Sequence, residues 1–502
     1  MATLKFQPRS HLDRLDPRRR GDRRSRQHSM NRTITKKRFD GKIIMIGYGS
    51  IGKGLLPLLE SYTQFEPSQL YIIAPEIKPY PELKKYNCIK KAITAKNLEE
   101  VLDNIAGTSE PAFIINVSVD VDSVDVIAKA QKLNSFYIDT ATEAWPGFYT
   151  NTDISLADRS NYMMRERVMA LKMANPNGPT AISCCGANPG MVSWLVKEAL
   201  LNLRNDINPS LPKPATQEEW ARLMYELEIK GIHIAERDSQ ETNYVREMGT
   251  FANTWSPAGC ISECIQASEL GWGTHEISLP ENGNRFENGS ESAIYLDSRG
   301  GETIVKTWVP TGPQEAFLIT HNEAISLAEY FTVKKPNGSG HLFRPTVHYA
   351  YRPSNVTVDS IHELMASEYP GNLATKVLRE DEITSGKDYL GVLLYGHAKN
   401  AYWYGSILSI EEARSIAPNQ NATGLQVASA MIAGIMWALD NPHAGIVESE
   451  QLDHEYCLNY QRPYLGSVEG HYTDWSPSNH PEPSQRWQFT NVLVSSRQVS
   501  SL

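Results

Sequence analysis

Gly47, Gly49 and Gly52 stand in G-x-G-x-x-G spacing inside KIIMIGYGSIGKG, between an apolar run of β character (Lys42 to Ile46) and an apolar helical pattern through Leu55, Leu56, Leu58 and Leu59. That order of strand, glycine turn and helix makes a phosphate seat. Gly47 permits the tight turn, Gly49 lets the backbone approach a pyrophosphate, Gly52 lets helix and strand pack closely, and the helix N-terminus offers unpaired N–H donors. With Ser50 and Ile51 between them, these residues are the expected contacts of a dinucleotide. The acid that would hold the adenosine ribose is displaced: the second strand ends YIIAPE, so Ala74 takes the usual acidic position and Glu76 follows two residues later. Glu76 is the expected ribose contact and favours NAD, while Lys78 leaves room for the 2′-phosphate of NADP.

A second set of residues suggests an amine substrate. Acids cluster beside aromatics in His233-Ile-Ala-Glu236-Arg-Asp238, Asn253-Thr-Trp255, Ile261-Ser-Glu263, Leu270-Gly-Trp272 and Thr320-His321-Asn322-Glu323. Carboxylates complement ammonium groups, and an indole face attracts a cation with about 0.5–2 kcal/mol. Beside a nicotinamide, such a pocket suits hydride removal from a C–NH₂ carbon or hydride delivery to an iminium. Each residue also has a plainer reading: Trp255 and Trp272 as core aromatics, and Glu236, Glu263, Glu323 and His321 as residues on solvated faces. Cys184-Cys185 ends a strand and reads as small buried apolar volume rather than a nucleophile. No metal-ligand spacing is present.

The elements that must position these groups alternate. Strands are predicted at Lys42 to Ile46, Leu70 to Ala74, Phe113 to Val117, Phe136 to Asp139 and Thr180 to Cys184, with helices at Ile51 to Thr63, Asn97 to Ile105, Ser123 to Lys132 and Asn161 to Met173. This is the pattern of βαβ units around a parallel sheet. Ligands lie at the carboxyl ends of such strands, which selects Asp120, Glu143 and Asn188. The expected fold is α/β, a Rossmann-type parallel-sheet domain with an inserted α+β substrate domain. Its divisions are a basic disordered extension at 1–40, the dinucleotide domain at 41–188 completed by 419–469, the substrate domain at 189–418 and a C-terminal arm at 470–502. A helix is expected over Gly424 to Trp437.

Composition sets the remaining bounds. The chain has 502 residues, 41% hydrophobic and 21% charged, with net charge −9. The first 40 residues carry +9, with Arg18-Arg19-Arg20 and Arg23-Arg24, which leaves −18 on the rest. An acidic body favours cationic ligands over nucleic acid. The basic arm reads as an upstream extension, with Met30 as the natural start. The six cysteines include no C-x-x-C pair, and the longest apolar stretch, Met431 to Leu439, is short for a membrane span. A cytoplasmic location without membrane insertion is expected.

Several segments together resemble the bacterial homospermidine synthase family: GYGSIGKGLLPLLE (Gly47 to Glu60), NVSVDVDSVD (Asn116 to Asp125), SCCGANPGMVSW (Ser183 to Trp194), KGIHIAERDSQ (Lys230 to Gln240), NTWS (Asn253 to Ser256), THNEAIS (Thr320 to Ser326), YRPSNV preceded by HYA (His348 to Val356) and GVLLYGHAKNAYWYGS (Gly391 to Ser406). The likeness is collinear from about Gly41 to Val494. It implies a saccharopine dehydrogenase-like fold, a homodimer and tightly held NAD. The implied reaction oxidises putrescine to an imine, releases ammonia as a second putrescine forms a Schiff base, and returns the hydride to give homospermidine. Spermidine is an alternative aminobutyl donor. The resemblance further implies that Trp255 lies against the cationic intermediate and Glu236 beside the reacting amine, with Asn188, Glu143 and His321 as further catalytic residues. Asp120, Glu263 and Asp388 would bind substrate, Glu263 and Asp388 at the distal ammoniums. The competing expectation is an NAD(P)H-dependent reductive-amination dehydrogenase of the saccharopine or carboxynorspermidine type.

Overall fold

The strand Ile43–Ile46 is buried at all four residues, and so are Phe113–Asn116 and Phe136–Asp139. Strands of this kind need cover on both faces, which parallel α/β sheets provide. In the computed structural model, which describes residues 35–107, 110–367, 373–379, 381–417 and 420–494, they form a seven-stranded sheet. Its order is Ile446–Glu448, Ala181–Ser183, Phe136–Asp139, Phe113–Asn116, Ile43–Ile46, Leu70–Ala74, Asn87–Lys90, and every pairing is parallel. Side chains alternate along each strand, so one strand feeds two cores. Ile44 and Ile46 join Val101, Leu102, Val126 and Ile127 of the helices Leu98–Ala106 and Ser123–Lys132. Ile43 and Met45 turn the other way, toward Leu55 and Leu59 of Ser50–Tyr62 and Leu425 and Met431 of Ala422–Asp440.

The two outermost strands are additions to the sequence expectation. Asn87–Lys90 alternates in exposure and extends one edge; Ile446–Glu448 returns from far along the chain and closes the other. The expected helix over Gly424 to Trp437 is longer, Ala422–Asp440. It is apolar over its whole length because it is almost wholly buried, packed between Ser50–Tyr62 and His454–Gln461.

The second sheet is mixed. Its order is Gly283–Arg285, Ala293–Arg299, Ala267–Gly271, Thr346–Arg352, Gly231–Asp238, Lys387–His397, Asn400–Ser409, Ser467–Thr473, and the hairpin Ile304–Val309/Gly312–Ile319 also joins Thr346–Arg352. Thr346–Arg352 and Gly231–Asp238 run parallel at the centre, and Lys387–His397 lies antiparallel beside them.

Two expected boundaries shift. The basic arm at 1–34 lies outside the described residues, but the fold takes up the chain before residue 40. Lys37–Arg38 pairs with Thr63–Gln64, Lys37 forms an ion pair with Asp440, and Phe39 meets Phe113 and Phe136 edge-on at 6.1 and 6.2 Å. An aromatic ring with an apolar place to go anchors a segment that charge alone would leave solvated. At the other end, the strand Ser467–Thr473 crosses the expected division at 470, and Trp487, Phe489 and Val492 are buried, so this stretch is part of the core packing.

A Cβ on Gly434 would stand 2.6 Å from Cys185 Sγ and 2.8 Å from Ile138 Cδ1, so the helix Ala422–Asp440 approaches the parallel sheet without a side chain between them. Gly434→Val is expected to lower the unfolding free energy by about 1–3 kcal/mol through overpacking, read as a lower urea midpoint at an unchanged m-value.

Candidate active site

Gly47 has φ +95°, and a Cβ there would lie 2.7 Å from the Val117 carbonyl oxygen, so only glycine fits this turn. Gly49 faces open space, and a Cβ on Gly52 would press the Gly47 carbonyl at 3.0 Å. The helix Ser50–Tyr62 that follows has no side-chain cap at Gly49, which leaves the N–H donors of its first turn available to a ligand. These features border a cleft of about 900 Å³ whose walls include Gly47, Gly49, Ser50, Ile51, Glu76 and Asp120. The volume, the uncapped helix start and the bare glycine backbone fit a dinucleotide. Gly52 stands behind the cleft as a packing residue. Asp120 lies on the wall of this cleft, beyond the carboxyl end of Phe113–Asn116.

Where the two sheets meet, Asn188 Nδ2 donates to Glu236 Oε2 at 2.9 Å and the Tyr349 hydroxyl donates to the same oxygen at 2.5 Å. Glu236 is 2% exposed, and burial raises its pKa to about 7 against the opposing effect of those two hydrogen bonds. Alternation along Gly231–Asp238 puts Asp238 on the same face, and Asp388 stands directly across from it on the antiparallel neighbour. Asp388 is fully buried; its Oδ2 accepts from the Thr423 hydroxyl at 2.8 Å, and its Oδ1 has no hydrogen-bond partner among the described residues. Burial and the nearby Glu236 and Asp238 carboxyls push its pKa well up. Three carboxyl groups are thus gathered in the interior.

An aromatic ladder leads away from them. The Tyr349 and Tyr351 rings stack at 5.3 Å, and Trp255 Nε1 donates to the Tyr351 hydroxyl at 3.0 Å. Trp255 is half-buried and lines a second cavity of about 490 Å³ that shares Gly49 and Ser50 with the dinucleotide cleft. The His321 ring also packs on Tyr349, at 4.2 Å. His321 Nδ1 lies 3.2 Å from Glu323 Oε1 and Nε2 lies 3.3 Å from Glu263 Oε2. Burial alone would lower the His321 pKa, but the two carboxylates outweigh it and hold it at about 10, so the ring is an imidazolium. His321, Glu263 and Glu143 line one narrow cavity. Burial, with Glu263 and Asp120 nearby, raises the Glu143 carboxyl well above its ordinary value.

The structure therefore brings Trp255, Glu236, Asn188 and His321 into one connected assembly, puts Glu143 and Glu263 at an adjoining cavity, and sets Asp388 across the strand pair. Trp272 takes the plainer role, buried and edge-on to Phe489 at 6.1 Å. Cys184 is likewise buried, against the Thr142 hydroxyl at 3.2 Å, and burial raises its thiol pKa. Sequence reasoning assigned no role to Tyr349 or Tyr351, and it quoted Asp238 in the acidic segment with Glu236 without giving it one. The signal was present as alternation: E-x-D and Y-x-Y each place two functional groups on one face of a strand. Glu323 was visible in its segment, but its buried contact with His321 was not.

Residues 43–182 match the saccharopine dehydrogenase NADP binding domain, and residues 186–474 match the saccharopine dehydrogenase C-terminal domain. The chain is 49% identical over 472 residues to homospermidine synthase of Blastochloris viridis, covering 91% of this chain and 98% of that protein. The chain belongs to the homospermidine synthase family. A second member, from Mesorhizobium japonicum, is 47% identical over 468 residues, covering 90% of this chain and 96% of its own length. The crystal structure of homospermidine synthase from Legionella pneumophila in complex with NAD superposes with a TM-score of 0.82 at 41% identity, covering 92% of this chain and 99% of that one. The expected architecture, a parallel dinucleotide-binding sheet joined to a larger mixed sheet, is present, in a fold that matches that crystal structure.

Glu236 has neutral donors and no ion-pair partner among the described residues. Its folded pKa, about 7, exceeds the ordinary 4.5, so the folded state binds this proton more tightly and stability is lost as pH rises from 4.5 through 7. Glu236→Gln keeps an oxygen for Asn188 and Tyr349 and removes that cost. In thermal melts the variant is expected to gain over wild type as pH rises across this window, with the gain complete above pH 7 and absent near 4.5.

Proposed function

We propose that this enzyme forms homospermidine from two molecules of putrescine with NAD as a recycled hydride carrier, and that spermidine can replace the first putrescine as aminobutyl donor. The observation that carries this reading is the buried set of Glu236, Asp238 and Asp388 with an unpartnered carboxylate oxygen, next to the half-buried indole of Trp255. Burying three acids that form no salt bridge with a lysine or arginine among the described residues is costly, and a diammonium ligand offsets that cost.

The glycine turn, Ser50, Ile51 and Glu76 hold the dinucleotide. Bound there, NAD supplies the chemistry of accepting a hydride from the amine-bearing carbon and giving it back after condensation, so the net reaction is redox-neutral. Asp388 seats the distal ammonium of the donor. Glu236, with its carboxyl pKa near neutrality, takes the proton that an attacking alkylammonium must lose, since an amine with pKa of about 10 is otherwise not nucleophilic. Asn188 and Tyr349 fix the orientation of that carboxylate. Trp255 presents its ring to the cationic iminium. Glu263, Glu143 and Asp120 form an acidic approach for the second diamine, and the His321 imidazolium holds Glu263 in place. The enzyme acts as a cytoplasmic homodimer with polyamines as its partners, without membrane or nucleic acid.

Incubation of purified enzyme with putrescine and substoichiometric NAD⁺ is expected to release one ammonia per homospermidine formed, over many turnovers per cofactor. Stoichiometric consumption of NADPH with an added aldehyde, and none of this product, would overturn the assignment in favour of a reductive-amination dehydrogenase. Trp255→Ala is expected to cut kcat at least tenfold, the effect of losing about 1.4 kcal/mol of cation stabilisation, with bound cofactor retained, and Trp255→Phe to keep part of it. The kcat/KM profile of the wild type should rise with pH through about 7 as Glu236 ionises, and Glu236→Gln should remove that limb along with most of the turnover.

A further inference from the structure

Asp238 is 1% exposed, yet its carboxyl accepts only from neutral donors, supplied by two residues, Thr254 and Gln240. Its Oδ2 accepts from the Thr254 hydroxyl at 2.8 Å. Its Oδ1 accepts from the Gln240 backbone N–H at 2.9 Å and from Gln240 Nε2 at 3.1 Å. The second Nε2 proton of Gln240 reaches the Thr423 hydroxyl oxygen at 3.3 Å, and the Thr423 hydroxyl proton goes to Asp388 Oδ2 at 2.8 Å. The polarity of this chain is consistent at every link, because each donor spends each proton once. Thr254 immediately precedes Trp255, and its carbonyl is held from another side by Asn421 Nδ2 at 2.5 Å. The indole is fixed at its own end by Tyr351.

We propose that Asp238 is a positioning residue that holds Thr254, and through it the Trp255 indole, in register with the ammonium seat at Asp388. The inference rests on the homospermidine synthase reading, since it assigns a role relative to that chemistry. Asp238 does not itself seat an ammonium: both its oxygens are occupied by neutral donors, whereas Asp388 keeps Oδ1 free. Its separation from Asp388 is that of a directly opposed antiparallel pair, about 5 Å between Cβ atoms. A diamine anchored at Asp388 would then meet a ring whose backbone is locked to the same network. Displacements of order 1 Å at a reacting centre cost up to about 10²-fold in rate.

The test measures kcat and KM for putrescine, NAD content and melting temperature in the holoenzyme for wild type, Thr254→Val, Thr254→Ser, Asp238→Asn, Trp255→Ala and the Thr254→Val/Trp255→Ala double variant. Thr254→Val is expected to lower kcat by about tenfold with KM within about twofold and full NAD content, and Thr254→Ser, which keeps the hydroxyl, to restore it. The double variant should be no slower than Trp255→Ala alone, because the hydroxyl acts through the indole. A purely packing role for Asp238 predicts lower melting temperatures without the serine rescue or the non-additivity. Wild-type kcat in Thr254→Val, multiplicative losses in the double variant, or an Asp238→Asn variant changed only in KM would each overturn the proposal. Failure of the wild type to make homospermidine would strike the reading beneath it, and is separately visible in the same assay.

Discussion

A carboxylate taken out of water must be paired, hydrogen-bonded or neutralised, and this protein places three of them, Glu236, Asp238 and Asp388, within one patch of a central sheet. No lysine or arginine is spent on them among the salt bridges of the described residues, although buried arginines are used elsewhere, as where Arg165 joins Glu448 through two hydrogen bonds of 2.6 and 2.8 Å. The difference separates a structural ion pair from a site. Arg165 and Glu448 close an internal account of charge between a helix and the returning strand. The acid patch leaves its account open, with neutral donors that orient the carboxyls and burial that raises their pKa values.

That open charge explains why the second sheet is built around Gly231–Asp238. The strand sits between a parallel neighbour carrying Tyr349 and Tyr351 and an antiparallel neighbour carrying Asp388. Both flanks contribute polar groups to one face, and a strand at an edge would have only one flank to use. Asn188, just beyond the strand Ala181–Ser183, then fastens the patch to the carboxyl ends of the dinucleotide sheet by a single hydrogen bond. The helix Ala422–Asp440 makes a second fastening. Its cap residue Asn421 accepts from the Gly424 N–H at 2.7 Å and donates to the Thr254 carbonyl, while the body of the helix packs against Ser50–Tyr62, which starts at the glycine turn. The glycine turn, the Trp255 indole and Asp388 are therefore held from two directions by buried elements.

What the sequence made legible follows from the range of the physics involved. The glycine turn and the strands Leu70–Ala74 and Phe136–Asp139 depend on neighbours within a few residues, and they stand where spacing and periodicity place them. The strand Ile446–Glu448 escapes such reading because its pairing partner, Ala181–Ser183, is more than 250 residues away and three residues carry no periodicity. Among the site residues, Trp255 and Glu236 stand out by type and by family likeness. Tyr349 does not, and Asp238 shows only as one more acid in its segment, because the role of each arises from register between strands distant in sequence, and a one-residue slip would turn both to the opposite face. Lys36 to Asp40 is a similar case, since Phe39 finds its ring partners only once Phe113 and Phe136 are side by side.

The two acidic regions of the site differ in what they can do with an incoming cation. Glu263 and Glu323 already share the His321 imidazolium, so a diamine arriving there meets carboxylates whose charge is partly answered. Attraction is moderated and release remains possible. Asp388 has no such partner and lies fully buried, so an ammonium that reaches it regains both charge neutralisation and a hydrogen-bond acceptor at Oδ1. Coulomb attraction is also stronger in that drier setting. Exposure falls from Asp120, through Glu143 and Glu263, to the buried Glu236, Asp238 and Asp388. A diamine has two identical ends, and an asymmetric field of this kind favours one end as the anchor and leaves the other as the reacting group.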